Sequence, residues 1–286
     1  MEKITTSSFY KYIELENPEE FQENLLEYCI KLELKGKVLV AKEGINGTVS
    51  GNQKQIEEFE KHLLSFKDFK DIMFKRTETE SHPYRKTHVR LRNEIVTSKF
   101  GIKTEKVGKH LTPENLKELY DKKDDFIILD ARNNYEAKIG KFKNAVTSPI
   151  KYFRDFPKTI KDLEKYKNKK IVMYCTAGVR CEKASALLIA NGFEDVNQLQ
   201  GGIVNFINKF PDTYFEGRCF MFDDRISIAT GSNTKDIAIC EKCHNPSGNY
   251  INCKNAKCNK LMIMCEGCNE EWKDTCSKFC RNLSNN

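Results

Sequence analysis

The chain has 286 residues, 31% of them charged, with a mean hydropathy of −0.61 and a formal net charge of +7. That length allows two or three domains, and no apolar run approaches the roughly 20 residues of a membrane span. The stretch from Met1 to Ser7 carries no apolar core of a secretory leader, so a cytoplasmic setting is expected, and the twelve cysteines are read as metal ligands or catalytic thiols rather than disulfides.

Phe9 to Leu15 predicts a first strand. Asn17-Pro18 predicts a helix start, with Asn as N-cap and Pro at the first position. This helix runs to about Leu34, with Phe21, Leu25, Leu26, Cys29 and Ile30 on its apolar side, where Cys29 belongs to the core. Strands follow at Lys37–Lys42 and Thr48–Ser50, joined by a turn at Gly44-Ile45-Asn46-Gly47. Ile56, Phe59, Leu63 and Leu64 mark a second helix, and Asp71–Thr77 and Thr87–Val96 are later strands. The order β-α-β-β-α-β is the split-βαβ, ferredoxin-like arrangement, assigned to residues 1–98.

The excess charge is concentrated. From Lys75 to Lys109 ten Lys and Arg stand against four Glu, interleaved with His82, Tyr84, His88 and Phe100. That is the composition of a phosphate-contacting surface with stacking partners; a solvated strand and linker is the plain alternative. Arg85, Lys86, Arg90 and Arg92 are the RNA-binding candidates, and strand alternation puts Arg90 and Arg92 on one face with Val89 and Leu91 on the other. Residues 99–111 are expected to be a basic linker.

Thr112-Pro113-Glu114 opens a new helix. Strands at Phe126–Asp130, Ile171–Cys175 and Val196–Leu199 then alternate with helices, the last from Gly202. Such alternation predicts a parallel sheet covered on both faces over residues 112–215, with its site at the carboxyl ends of the strands. Asp130 and Cys175 both fall there. After Cys175 come Thr176, Ala177 and Gly178, then Val179, Arg180, Cys181 and an apolar helix pattern. Loop N–H groups, the helix N-terminus and Arg180, which closes the loop as an anion clamp with its planar fork, favour a thiolate at Cys175, and a thiolate is a nucleophile. A buried structural cysteine is the plain alternative.

The run from Cys175 to Arg180 resembles the active-site loop of rhodanese domains, which carry a persulfide on that cysteine. Phe126 to Glu136 resembles the strand of that family ending in Asp130 and Arg132, which would brace the site. Gly140-Lys141-Phe142 resembles the motif that follows it. Lys141 stands where that family often has His and is assigned no catalytic role.

Residues 216–286 form a cysteine-rich segment. Cys240, Cys243, Cys253, Cys258, Cys265, Cys268, Cys276 and Cys280 would make two tetrahedral four-thiolate sites for about two structural zinc ions. Sequential and interleaved groupings are both open, disulfides or redox pairs are the alternatives, and His244 is surplus.

Val38 to Gly51, Val89 to Thr97, and Glu216 to Arg225 resemble, in order and spacing, the bacterial-type tRNA wobble-uridine hydroxylases with a rhodanese domain. That resemblance covers almost the whole chain. It implies an oxidoreductase that converts the anticodon wobble uridine to 5-hydroxyuridine with molecular oxygen, using Cys175. It also implies tRNA as partner, with neither DNA nor a membrane. The residues themselves contain no Gly-rich dinucleotide motif and no recognisable two-His-one-carboxylate iron site, so the oxygen chemistry rests on the resemblance. Two other readings stay open: a sulfurtransferase carrying a persulfide on Cys175, with Cys181 as resolving thiol, and a non-catalytic RNA- or protein-binding module with a zinc tail.

Overall fold

The computed structural model describes residues 3–284, so Met1 and Glu2, part of the stretch read for a leader, lie outside it. The N-terminal unit consists of β1 (Ile4–Tyr12), α1 (Pro18–Lys31), β2 (Lys35–Ala41), β3 (Gly44–Gly51), α2 (Gln53–Ser65), β4 (Lys75–Thr79) and β5 (Thr87–Leu91). Its sheet order is β4-β1-β3-β2-β5. β3 lies antiparallel between β1 and β2, as the ferredoxin-like arrangement requires, and β5 adds a fifth strand parallel to β2.

The period-2 alternation of these strands divides the sheet into two faces. Phe9, Val38, Val40, Ile45 and Val49 pack against Leu25 and Cys29 of α1 and Ile56, Phe59 and Leu63 of α2. The polar face, with Ser8, Tyr10, Lys37, Asn46 and Thr48, turns towards the rest of the chain.

Several boundaries differ from expectation. β1 spans Ile4–Tyr12 rather than Phe9–Leu15, because Thr5 to Ser8 are paired with both β3 and β4. Gly44 to Gly47 lie within β3, and the turn falls at Lys42 and Glu43. Gly44 has φ +130°, and a Cβ there would lie 2.0 Å from the Lys11 carbonyl oxygen. Asn17 occupies the N-cap position without a side-chain cap bond, while Ile30, expected on the apolar side of α1, is exposed. β5 stops at Leu91, since the chain then leaves the sheet. Glu43 accepts from the Ile95 N–H at 2.8 Å, and Glu94 accepts from Ser98.

Phe100 and Ile102 pack against the core of the central unit. That unit contains β6 (Lys109–Leu111), α3 (Pro113–Lys122), β7 (Ile127–Asp130), α4 (Asn134–Ile139), β8 (Gly140–Phe142), β9 (Val146–Thr147), α5 (Ile160–Leu163), β10 (Lys170–Tyr174), α6 (Val179–Ala190), β11 (Asp195–Leu199) and α7 (Gly202–Lys209). Its sheet, in the order β6-β11-β10-β7-β9, is parallel throughout. Both faces are covered. Met173, Cys181 and Leu188 lie in one core; Val172, Tyr174, Ile203 and Phe206 lie in the other. Thr112 closes a capping box with Asn115 ahead of Pro113, as its sequence predicts.

The remaining chain begins on the central unit. β12 (Phe215–Gly217) pairs with β8, and β13 (Cys219–Phe220) pairs with β14 (Ser227–Ile228). A hairpin of β15 (Tyr250–Asn252) and β16 (Leu261–Ile263) follows, with α8 (Glu266–Trp272) and α9 (Lys278–Ser284). Among the described residues no helix is long and apolar enough to cross a membrane.

Candidate active site

β10, the central strand, is buried from Ile171 to Tyr174, and Cys175 follows directly at its carboxyl end. The chain then turns through Thr176, Ala177 and Gly178 into α6. Gly178 has φ +105°, a conformation that favours glycine, and a Cβ there would come within 2.8 Å of the Tyr10 hydroxyl. This geometry aims the Gly178 N–H at the Cys175 sulfur, 3.1 Å away. Burial opposes ionisation of Cys175. It is outweighed by the Cys181 thiol, the Arg180 charge and the backbone N–H groups of Arg180 and Gly178, which together lower the thiol to about 5. Cys181 moves the opposite way, well above the ordinary thiol range, through burial and its hydrogen bond to Cys175.

The first turn of α6 gives each side chain a partner. Arg180 does not place its planar fork on the sulfur. It donates to both oxygens of Glu136 at 2.6 and 2.7 Å, and to Thr176 Oγ1 at 3.2 Å. Its effect on Cys175 is therefore that of a held charge, not a direct clamp. Glu182 accepts from Tyr10 at 2.9 Å and Gln198 at 3.0 Å, and lies 3.0 Å from His110. Lys183 pairs with Glu43 and Glu94 at 2.9 and 2.8 Å. Tyr12 donates to the Val179 carbonyl at 3.3 Å. Thus the N-terminal sheet is fastened onto the helix that supports the cysteine loop.

Asp130 and Arg132 form a fully buried bidentate pair, and Tyr174, the residue before Cys175, donates to Asp130 at 2.7 Å. Arg132 also donates to the Gly140 carbonyl at 2.6 Å. The pair ties β7 to β10 behind Cys175 without entering the cleft.

Cys175 forms part of the wall of a cleft of about 510 Å3 between the units. Lys37, Asn46, Thr48 and Tyr84 line it from the N-terminal unit, and Tyr152, Arg154, Thr176 and Arg180 from the central one. Phe222 closes the third side. Tyr152 and Phe222 are 45% and 56% exposed, large aromatic side chains left open in the cleft that Cys175 lines. Arg154 lies 4.7 Å from the Tyr152 ring and Arg180 5.4 Å from the Phe222 ring.

Arg85, Lys86, Arg90 and Arg92 are all exposed, and Val89 is buried, as alternation predicts. Arg90 is in register with Leu39, which lines the cleft, so it lies one strand outward on the same face. Arg85 reaches across to Asp224 at 3.4 Å. Sequence reasoning missed Glu136, Glu182, Lys183, Tyr10, Tyr152 and Phe222. The one local signal was Glu182-Lys183, a charge pair that follows Arg180 and Cys181 ahead of an apolar helix run.

The tail sulfurs form two groups: Cys240, Cys243, Cys265 and Cys268, and Cys253, Cys258, Cys276 and Cys280. The grouping is interleaved because the hairpin carries Cys253 and Cys258 at its tip and returns Cys265 to its base, beside Cys240. Sulfur separations are 3.6 Å for Cys243–Cys265, 3.6 Å for Cys258–Cys276 and 3.5 Å for Cys276–Cys280. A tetrahedral ion with thiolates at about 2.3 Å spaces its ligands about 3.8 Å apart, whereas a disulfide needs about 2.05 Å. The residues fit two metal ions, and His244 belongs to neither group.

Family models match the chain in three consecutive pieces. They are an acylphosphatase-like domain (UPF0176) over residues 4–95, a rhodanese-like domain over 112–209 and a rhodanese C-terminal domain over 216–281. A protein of Cytophaga hutchinsonii named tRNA uridine(34) hydroxylase is 40% identical over 276 residues, covering 96% of this chain and 88% of its own length. One of Bacillus licheniformis with the same name is 42% identical over 285 residues, covering 96% and 87%. Similarity of this degree runs from the N-terminal sheet through the cysteine loop to the cysteine-rich tail, and on that ground the chain belongs to the tRNA uridine(34) hydroxylase family.

Proposed function

We propose that this protein hydroxylates C5 of the wobble uridine of tRNA, with Cys175 as nucleophile and dioxygen as oxidant. The observation that carries the reading is a buried cysteine, its sulfur met by the Gly178 N–H, lining a nucleoside-sized cleft in a chain aligned over 96% of its length with relatives named tRNA uridine(34) hydroxylase.

A uracil inside a stacked anticodon loop cannot reach a sulfur at the wall of a cleft, so the base is extruded into it. Tyr152 and Phe222 offer rings against which it stacks. The Cys175 sulfur adds to C6, and the electron pair of the C5–C6 bond moves towards C5 and O4. C5 thereby becomes nucleophilic towards oxygen. One oxygen atom enters at C5, and the other leaves as water with two electrons and two protons from an external thiol reductant, two thiols being oxidised to one disulfide. Loss of the C5 proton then expels the sulfur from C6. The chain's contribution is to hold the thiolate through Gly178, Cys181 and Arg180, and to exclude water by closing the N-terminal sheet over the loop. Arg90, Arg92 and Lys86 meet the phosphates of the anticodon arm outside the cleft.

The two four-sulfur groups hold zinc, which matches their all-thiolate donors and spacing. Zinc supplies no redox chemistry; here it would fold the tail.

Nucleoside analysis of tRNA from a strain lacking the gene, complemented with the parent or Cys175→Ser, tests the reading. Loss of 5-hydroxyuridine derivatives, restored only by the parent, is expected. Loss of a thiolated base instead would point to sulfur transfer.

A further inference from the structure

Lys75 is 5% exposed, and its ammonium makes no hydrogen bond to any described group. A buried unpaired cation is costly, so its retention calls for a compensating anion. The residue sits on β4, an edge strand, directly opposite Ser8 on β1. Its side chain therefore projects from the sheet face that covers the cysteine loop, the face of Ser8, Tyr10 and Thr48. The ammonium lies 4.9 Å from the Tyr10 ring, and the Tyr10 hydroxyl abuts Gly178, whose N–H binds the Cys175 sulfur. Burial lowers Lys75 to about 8, and the negative charge opposing that effect is Cys175.

We propose that Lys75 is a positioning residue for the nucleophile: the N-terminal unit supplies a buried cation that holds the Cys175 sulfur in its anionic form, so that reactivity depends on docking of the two units. This rests on Cys175 being the reactive thiolate of the proposed function. The other charged or titratable groups around that sulfur are Arg180 and Cys181 from α6, with Glu136 behind Arg180, and Tyr10 and Tyr12 from β1, with Glu182 beside Tyr10. Arg180 is already paired with Glu136, and Tyr10 and Tyr12 are held neutral by burial and nearby carboxylates. Lys75 is therefore a buried cation with no carboxylate partner on the sheet face that covers this sulfur.

The test is the pH dependence of iodoacetamide alkylation at Cys175 in the full-length protein, followed by peptide mass spectrometry. Lys75→Met should raise the midpoint by about one unit, a several-fold loss of rate near pH 5, while the melting temperature stays equal or rises. Lys75→Arg should restore the parent midpoint. If Lys75→Met does not fold, Lys75→Gln against Lys75→Arg provides the same contrast. A folded Lys75→Met protein with the parent profile overturns the proposal, as does lowered melting with an unmoved profile. A parent protein whose Cys175 reacts only near pH 8 to 9 overturns instead the thiolate reading on which it rests.

Discussion

Lys183, in the first turn of the helix behind the cysteine loop, donates to Glu94 at 2.8 Å, across the junction between the N-terminal sheet and the central sheet. Its second partner is Glu43, 2.9 Å away. The lysine is almost wholly buried, so two carboxylates from the N-terminal unit converge on one cation from the central unit. Removing the cation leaves those carboxylates facing each other. Lys183→Met should therefore cost roughly 2–4 kcal/mol in denaturant unfolding, the lower part of the range for breaking a buried pair because both carboxylates keep some solvent. Burial opposes ionisation of Glu94, but Lys183, Ser98 and two backbone N–H groups outweigh it and lower the carboxyl to about 2. Its contribution is complete above the usual Glu range and is lost as pH falls from about 4.5 through 2. Acid should loosen this junction in the parent more than in Glu94→Gln, a difference measurable by limited proteolysis.

Cys175→Ser should abolish uridine modification while leaving the circular dichroism spectrum native. The thiol is lowered to about 5 against an ordinary value near 8.5. A folded-state value below the unfolded one stabilises the fold above the unfolded value, and the contribution disappears as pH falls through 5. The melting-temperature gap between parent and Cys175→Ser should accordingly widen from pH 5 to pH 8.5. A constant gap would contradict a buried thiolate.

Arg180→Ala should destabilise by about 3–5 kcal/mol, because Glu136 is then left buried without its cation. Glu136→Ala should cost a similar amount, and the double variant less than the sum. Arg180→Lys should remain impaired in modification, since one ammonium cannot reproduce bonds to both oxygens of Glu136 and to Thr176. Urea titrations and tRNA modification assays measure both effects.

Protein purified without chelator should contain about two equivalents of zinc. Cys243→Ala with Cys268→Ala should remove one, because both belong to the same group. Cys243→Ala with Cys258→Ala should remove both. Sequential grouping would reverse these two results in elemental analysis.

Affinity for tRNA should fall with salt, and Arg90→Ala with Arg92→Ala should make the slope shallower by about two. Tyr152→Ala or Phe222→Ala should instead reduce modification with little change in slope, since an aromatic ring contributes stacking rather than charge. An unaltered slope in the arginine double variant would place the tRNA backbone on another surface.

The sequence by itself determined the alternation of strands and helices, because hydrophobic periodicity and the Thr112-Pro113 start are local properties. It also placed Cys175 at a strand end and tied it to Gly178, Arg180 and Cys181, which lie within one turn of each other. It marked eight cysteines as candidate metal ligands, since residue type and spacing carry that information. It could not choose their grouping, which depends on which end of a hairpin each pair occupies.

Tertiary structure alone decided what the charges do. Arg180 looks like an anion clamp beside Cys175, but Glu136, 44 positions earlier, takes its fork. Tyr10 and Lys75 carry no motif, Glu43 and Glu94 lie in family-like segments with no role legible there, and the roles of all four exist only because one face of the N-terminal sheet packs over the cysteine loop. The reason is physical. Burial makes a charge depend on whatever lies within a few ångströms, and those neighbours are set by the docking of two sheets distant in the chain.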